Sequence, residues 1–155
     1  MKKFSQEHQE TLKTGTKNLL QAIGDDPNRD GLLETPKRVA KAYAEIFSAT
    51  GETQFDNYKL FPTDQDSDMV IVADIPFYAM CEHHLLPFFG TVTVGYVPDG
   101  EIIGLSKIPR LVDWAARRPS VQENLTALIC SEMQRIVHPK GVAVHVQSRH
   151  MCMEM

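Results

Sequence analysis

Two short clusters of thiol and imidazole side chains constrain the fold of this chain more than any other feature. Cys81, His83 and His84 lie in the middle of the 155-residue sequence, and His150 and Cys152 lie near its end. Thiolate and imidazole are the ligands that zinc prefers, and the ion is usually held tetrahedrally. If both clusters serve one site, the chain must fold so that its middle and its end meet.

The spacing of the first cluster leaves its choice of ligands open. Cys81 can act together with His83 or with His84, because adjacent side chains on an extended chain diverge. A site with three protein ligands would keep a fourth position for water, whose pKa zinc lowers toward about 7. A closed structural zinc site, or buried thiols beside surface histidines, would account for the same residues.

The second cluster lies in a segment rich in β-branched residues, and we predict a strand over residues 142–153. Side chains alternate between the two faces of a strand, so His150 and Cys152 would point to the same side. Both could then face one site.

Composition and charge exclude several classes of function. The net charge of −4 provides no basic field for a nucleic-acid partner. No apolar run approaches the length that spans a membrane, and no apolar signal segment follows the first residues. The three cysteines are an odd number without framework spacing, which favours a reducing cytoplasm over a disulfide scaffold.

Residues 1–68 are predicted to form a helical hairpin and a connecting loop. Apolar residues recur at helical spacing over residues 5–23 and again over residues 35–47. Thr35 is a suitable N-cap for the second helix, and Pro36 suits its first position. The polar, irregular segment 48–68 is expected to cross the surface.

Residues 69–155 are predicted to form the main domain. A strand over 69–80 contains Pro76, which indicates an edge, a bend or a bulge. Residues 90–97 and 101–105 flank a Pro-Asp-Gly turn and are predicted to pair as a hairpin. Helices are expected from residue 106 to the Arg-Arg-Pro stop and over 120–137. This order indicates an α+β domain with an antiparallel sheet.

Five stretches of the chain, in the same order and at similar intervals, resemble GTP cyclohydrolase type I. They are residues 31–36 (GLLETP), 81–84 (CEHH), 104–107 (GLSK), 117–123 (RRPSVQE) and 150–153 (HMCM). The resemblance implies the tunnelling fold, or T-fold, an antiparallel sheet with two helices on one face that follows an N-terminal helical hairpin. Subunits of this fold join their sheets into a barrel. The resemblance also implies a toroidal homodecamer with active sites at subunit interfaces.

The resemblance implies a reaction and a metal. GTP would lose C8 as formate, and the opened ring would rearrange to 7,8-dihydroneopterin triphosphate, a precursor for tetrahydrofolate or another pterin. Cys81, His84 and Cys152 would be the Zn²⁺ ligands, and His83 and His150 the acid–base pair.

The resemblance also implies the residues that bind GTP. Glu123 would pair with the guanine N–H groups, Gln122 and the backbone of Leu105 and Val121 would complete base recognition, and the triphosphate binders would be Ser106, Lys107, Arg110, Arg38 and Lys41. From the residues alone, Glu123 could instead complete a capping box with Ser120. Ser106 could be only an N-cap, although helix N-termini also bind phosphate.

The family continues beyond the last matching stretch with Arg-Gly and a threonine-rich segment. The arginine adds a triphosphate contact and the segment adds a strand, whereas the sequence here ends at Met155. Either the given sequence is truncated or the protein lacks both features. In the second case a non-catalytic T-fold protein that binds GTP or a pterin is the alternative expectation.

Overall fold

The computed structural model describes residues 4–64 and 68–155, and contacts divide the chain into two units after Thr50. In the first unit, helices α1 (Gln6–Ala22) and α2 (Thr35–Ile46) pack against each other. Ser5 caps α1, because its hydroxyl accepts the His8 N–H at 3.2 Å.

The predicted cap of α2 is wrong by one residue. Thr35 is itself helical, and its N–H donates to Leu32 O at 3.0 Å. The turn that precedes the helix therefore satisfies this donor, and neither Thr35 nor Glu34 needs to supply a side-chain cap. Pro36 is the second residue of the helix, one position later than predicted.

The second unit contains six strands and three helices among its described residues. The strands are β1 (Leu60–Pro62), β2 (Val70–Cys81), β3 (Pro87–Val97), β4 (Glu101–Ile103), β5 (Pro119–Ser120) and β6 (Gly141–His150). The helices are α3 (Lys107–Ala116), α4 (Gln122–Val137) and the single turn α5 (Met151–Glu154).

The main sheet has the order β5-β2-β3-β6, and β3 runs antiparallel to both β2 and β6. One face is buried, since Ile75, Phe77 and Ala79 alternate with exposed residues along β2. Helix α3 packs on β2 and α4 packs on β6, which covers this face. The predicted α+β architecture with an antiparallel sheet is confirmed.

The predicted hairpin between residues 90–97 and 101–105 is wrong. Strand β4 pairs with β1 in a separate two-stranded sheet, with Phe61 opposite Ile102. Both edges of β3 are already occupied by β2 and β6, so no backbone groups remain there for β4. The single link between β3 and β4 in the described hydrogen bonds is Ile103 N–H donating to Tyr96 Oη at 3.3 Å.

A bulge interrupts β2 before Pro76. The register with β3 shifts between Val72 and Ile75, and Asp74 adopts a positive φ of 54°. An extra residue of this kind bends the strand locally and increases its twist. The expectation of a bulge or bend near Pro76 is therefore met.

The contacts of residues 51–64 place them in the second unit. The sequence-based division at residue 68, which assigns them to the helical hairpin, stays a prediction. A buried carboxylate holds this segment to α4. Glu132 Oε2 accepts the Phe55 N–H at 2.7 Å, and Arg135 Nη2 donates to Phe55 O at 2.9 Å.

None of the helices in the described residues is long and apolar enough to cross a bilayer.

Burial raises the pKa of the Glu132 carboxyl, but hydrogen bonds from Arg135 and Phe55 and the charges of Arg135 and Arg118 outweigh it. The net effect places the pKa below the usual value of 4.5. Stability from this group is therefore present above that pH and is lost as the pH falls through the lowered folded-state pKa.

We predict that Glu132→Gln lowers the free energy of unfolding by about 1–3 kcal/mol at neutral pH, because Arg135 and Phe55 lose a charged acceptor. The acid limb of the stability profile should flatten as well. Urea titrations at fixed protein concentration measure both effects. Glu101→Gln, at an exposed position of β4, is the matched control and should change stability by less than about 0.5 kcal/mol. Equal effects of the two substitutions would contradict the assignment.

Candidate metal centre and cleft

Two thiols and one imidazole meet at the end of the main sheet. The ligand atoms of Cys81, His84 and Cys152 all lie within 4.8 Å of one another. Cys81 is buried, with 5% of its surface exposed, whereas Cys152 is half-buried and His84 is exposed. Cys81 therefore lies on the inner side of this group, and solvent reaches the other two side chains.

A tight turn brings His84 back to Cys81. Leu85 N–H donates to Cys81 O at 2.9 Å, and Cys81 N–H donates to Leu86 O at 2.9 Å. Leu85 takes the positive φ of 52° that this reversal requires. The result places His84 Nδ1 3.9 Å from Cys81 Sγ.

Cys152 reaches the group from a helical turn, so the prediction of a strand to residue 153 is wrong. β6 ends at His150, and Cys152 lies in α5. The argument from strand alternation therefore does not apply to this residue. The chain turn at residues 151–154, closed by Met155 N–H donating to Met151 O, positions the thiol instead.

The donor set fits a zinc ion. Zn–S and Zn–N bonds of about 2.3 and 2.0–2.1 Å at tetrahedral angles separate ligand atoms by roughly 3.6–3.8 Å. The 3.9 Å between Cys81 Sγ and His84 Nδ1 is close to this value. Partial burial raises the pKa of the Cys152 thiol, and the adjacent Cys81 adds to the rise. A cation between the two sulfurs would favour their thiolate forms.

An open cleft of about 420 Å³ borders this group. Its lining joins the end of β2, the start of α4, the end of β6 and α5. The lining residues are Cys81, His83, His84, Phe88, Ser120, Val121, Gln122, Glu123, His150, Cys152 and Met153.

The other two histidines of the clusters lie in the cleft but outside the Cys-His-Cys group. His83 is exposed, and its Nε2 lies 3.8 Å from Glu82 Oε1. His150 is half-buried and stacks on Phe88, with ring centroids 5.0 Å apart and planes within 2°. His150 Nε2 lies 3.0 Å from both Gln122 Oε1 and Ser148 Oγ.

The start of α4 does not form the capping box that the sequence allowed. Val121 is the N-cap residue, and the Ser120 hydroxyl donates to Val121 O at 3.2 Å. Glu123 lies in the first turn with an exposed side chain, where a negative charge complements the helix dipole. Its carboxylate therefore faces the cleft without a capping role.

Four predicted substrate residues of the second unit, Leu105, Ser106, Lys107 and Arg110, are not among the residues that line this cleft. Leu105 and Ser106 are exposed ahead of α3, and Arg110 is exposed on its first turns. Ser106 forms no capping hydrogen bond, and Lys107 Nζ donates to Asn57 Oδ1 at 2.9 Å. Arg38 and Lys41 are exposed on α2 of the first unit.

Sequence reasoning missed Ser148 and Phe88. The alternation that linked His150 to the site also places Ser148 on the same strand face two residues earlier, so extending it would have found this residue. Phe88 gave no such signal, because its contact with His150 depends on the pairing of β3 with β6.

Comparison with known proteins agrees with this geometry. The family model for GTP cyclohydrolase I matches residues 12–155. The chain is 55% identical over 153 residues to GTP cyclohydrolase 1 of Lactiplantibacillus plantarum, covering 98% of this chain and 81% of that protein. It is 56% identical over 147 residues to GTP cyclohydrolase 1 of Latilactobacillus sakei, covering 93% of this chain and 78% of that protein.

A larger relative also matches. The bifunctional protein FolKE of Lactococcus lactis is 56% identical over 147 residues, which are 93% of this chain and 42% of that protein. The antiparallel sheet with two helices on one face and a thiol–imidazole group at its end defines a T-fold protein with a candidate metal centre. The chain belongs to the GTP cyclohydrolase I family.

The distances predict which histidine binds metal. His84→Ala should weaken zinc binding by more than about 100-fold, because it removes a ligand and not merely a supporting partner. His83→Ala, the neighbouring control, should retain the metal. Zinc content after dialysis and competition with a chromogenic chelator measure both. A protein that loses zinc with the His83 substitution and keeps it with the other would contradict the geometry.

Proposed function

We propose that this protein catalyses the zinc-dependent conversion of GTP to 7,8-dihydroneopterin triphosphate with release of formate. The single observation that carries the proposal is the convergence of Cys81, His84 and Cys152 beside a cleft that also contains His83, His150 and Glu123. Relatives that are 52–56% identical carry the name GTP cyclohydrolase 1, which supports the same reaction.

Cys81, His84 and Cys152 would hold the ion and leave one vertex for a small molecule. When bound, zinc would supply Lewis-acid activation of water near neutral pH. The hydrolysis at C8 of the purine requires such a nucleophile together with groups that move protons.

His83 and His150 would move those protons. Imidazole exchanges protons near neutral pH, and both rings lie beside the metal group without belonging to it. His83 is exposed at the mouth, whereas the ring of His150 is held by Phe88 and two hydrogen bonds. The exposed side chain of His83 can move with the substrate, whereas His150 stays in one position.

Glu123 would recognise guanine. A carboxylate can accept from the exocyclic amino group and the adjacent ring N–H at the same time, and the exposed side chain of Glu123 is available for this pairing. The Val121 backbone lies next to it on the cleft wall. Leu105 would contribute its backbone, as the family motif implies.

The triphosphate would bind basic residues from a neighbouring subunit. None of the described residues that line the cleft is Lys or Arg, yet a triphosphate needs local positive charge in a chain of net charge −4. Ser106, Lys107 and Arg110, with Arg38 and Lys41, would complete the site across a subunit interface of a homodecamer.

The absence of cationic side chains from the described cleft lining also motivates a second candidate. A T-fold protein of this kind could bind GTP or a pterin without turnover. Binding of both zinc and GTP without formate release would support it, whereas measurable turnover would exclude it.

A turnover assay tests the main proposal. Zinc-loaded protein incubated with GTP should release formate and give fluorescent neopterin after oxidation. Cys152→Ala should lose zinc and turnover together, because it removes a ligand. Cys130→Ala is the matched control, since this half-buried thiol lies outside the metal group, and it should retain both. No formate from the zinc-loaded parent protein would refute the proposed activity.

A second prediction tests guanine recognition. Glu123→Gln should raise KM for GTP by about 10- to 100-fold, the cost of hydrogen bonds to a charged acceptor. The preference for GTP over inosine triphosphate, which lacks the amino group, should shrink in parallel. A variant that keeps this preference but unfolds more readily would assign Glu123 to helix stability instead.

A further inference from the structure

A compact hydrogen-bonded triangle forms part of the cleft wall at the end of β6. Gln122 Oε1, Ser148 Oγ and His150 Nε2 form its corners, with separations of 2.5, 3.0 and 3.0 Å. All three side chains are half-buried. Each of the three atoms therefore lies within hydrogen-bond distance of the other two. Each of these contacts needs one donor and one acceptor.

The contact of the Gln122 amide nitrogen determines the orientation of the carboxamide. Gln122 Nε2 lies 3.2 Å from Val146 O, which can only accept. The amide nitrogen must therefore face Val146, and the amide oxygen faces Ser148 and His150. Since an amide oxygen also only accepts, both of these partners must donate to it.

The single hydroxyl proton of Ser148 determines what remains. It lies between two oxygens 2.5 Å apart and must be donated to Gln122 Oε1. Ser148 Oγ can then act only as an acceptor toward His150, and Gln122 Oε1 is also only an acceptor. Both contacts of His150 Nε2 are satisfied if this nitrogen carries a proton.

Two further contacts fix the ring and the strand. Phe88 stacks on the His150 ring with planes 2° apart, which prevents the ring from tilting. Opposite Ser148, a Cβ atom at Gly90 would lie 2.0 Å from Gln147 O and 2.8 Å from Ser148 Cα. Only glycine permits this approach of β3 to β6.

We propose that Gln122 and Ser148 are positioning residues that hold His150 as its Nε2–H tautomer, leaving Nδ1 as the nitrogen with a free lone pair. The inference rests on the proposed function for its kinetic consequence but not for the tautomer. It assigns Gln122 to the support of His150, in place of direct contact with guanine.

The tautomer can be measured without turnover. In protein labelled with ¹⁵N-histidine, two-bond nitrogen–proton correlations distinguish the two neutral forms, at a pH well above the ordinary histidine pKa of about 6.5. Signals of His150 are assigned by their loss in His150→Gln. We expect the Nε2–H pattern in the parent protein and a mixture of tautomers in Gln122→Met. An Nδ1–H pattern in the parent protein, or an unchanged pattern in the variant, would overturn the proposal.

Kinetics separate positioning from substrate recognition. Gln122→Met, which keeps the side-chain volume, should lower kcat by about 10- to 100-fold, as loss of a partner that orients a functional histidine does. KM for GTP should stay within about 3-fold, because no ground-state contact is removed. Gln147→Met, an exposed position on the other face of β6, is the matched control and should leave kcat unchanged.

Ser148 provides the second pair of variants. Ser148→Ala should lower kcat by about 2- to 10-fold, the equivalent of one neutral hydrogen bond, and Ser148→Thr should restore it by retaining the hydroxyl. A raised KM with unchanged kcat in Gln122→Met would overturn the proposal and assign that residue to guanine. If the parent protein lacks turnover, the proposed function fails, while the nitrogen spectra still decide the positioning roles.

Discussion

The pairing of β3 with both β2 and β6 brings the candidate site together. Both neighbours run antiparallel to β3, so their last residues lie beside its first residues. Met80 pairs with Pro87, and His150 pairs with Phe88. Two segments that are distant in sequence therefore meet at one end of the sheet. A slip of one residue in either pairing would turn the functional side chains to the opposite face.

Helix α4 is tied to the same end by backbone and side-chain contacts. Ser120 lies opposite Cys81 in the short parallel pairing, and Ser120 O accepts the Glu82 N–H at 3.0 Å. On the other side, the Gln122 side chain reaches Val146 O of β6. The first turn of α4 thus links both outer neighbours of β3, which sets the width of the cleft.

The sequence allowed the architecture and the meeting of the two thiol–imidazole clusters to be predicted, but for partly incorrect local reasons. Strong patterns, such as the alternating strands and the apolar helix faces, depend on burial and gave the right elements. The hairpin of residues 90–97 and 101–105 failed because short-range turn chemistry cannot reveal that β6 takes the edge of β3. Strand alternation failed for Cys152, since the chain turns into α5 just after His150.

The capping box at Ser120 failed for a related reason. Its residue types are correct for a helix start, but pairing of Ser120 with β2 keeps that residue extended and moves the cap to Val121. Tertiary pairing thus overrides a local preference worth about 1 kcal/mol. As a result, the backbone of α4 does not use the carboxylate of Glu123 as a cap.

Gln122 and Glu123 are adjacent in sequence, but their side chains differ in hydrogen bonding and in exposure. The carboxamide of Gln122 donates one N–H to Val146 O, and its oxygen lies against Ser148 Oγ and His150 Nε2. Glu123, one step around the helix, is exposed. A side chain that already satisfies its partners provides rigidity, and one that does not can gain bonds when a ligand arrives.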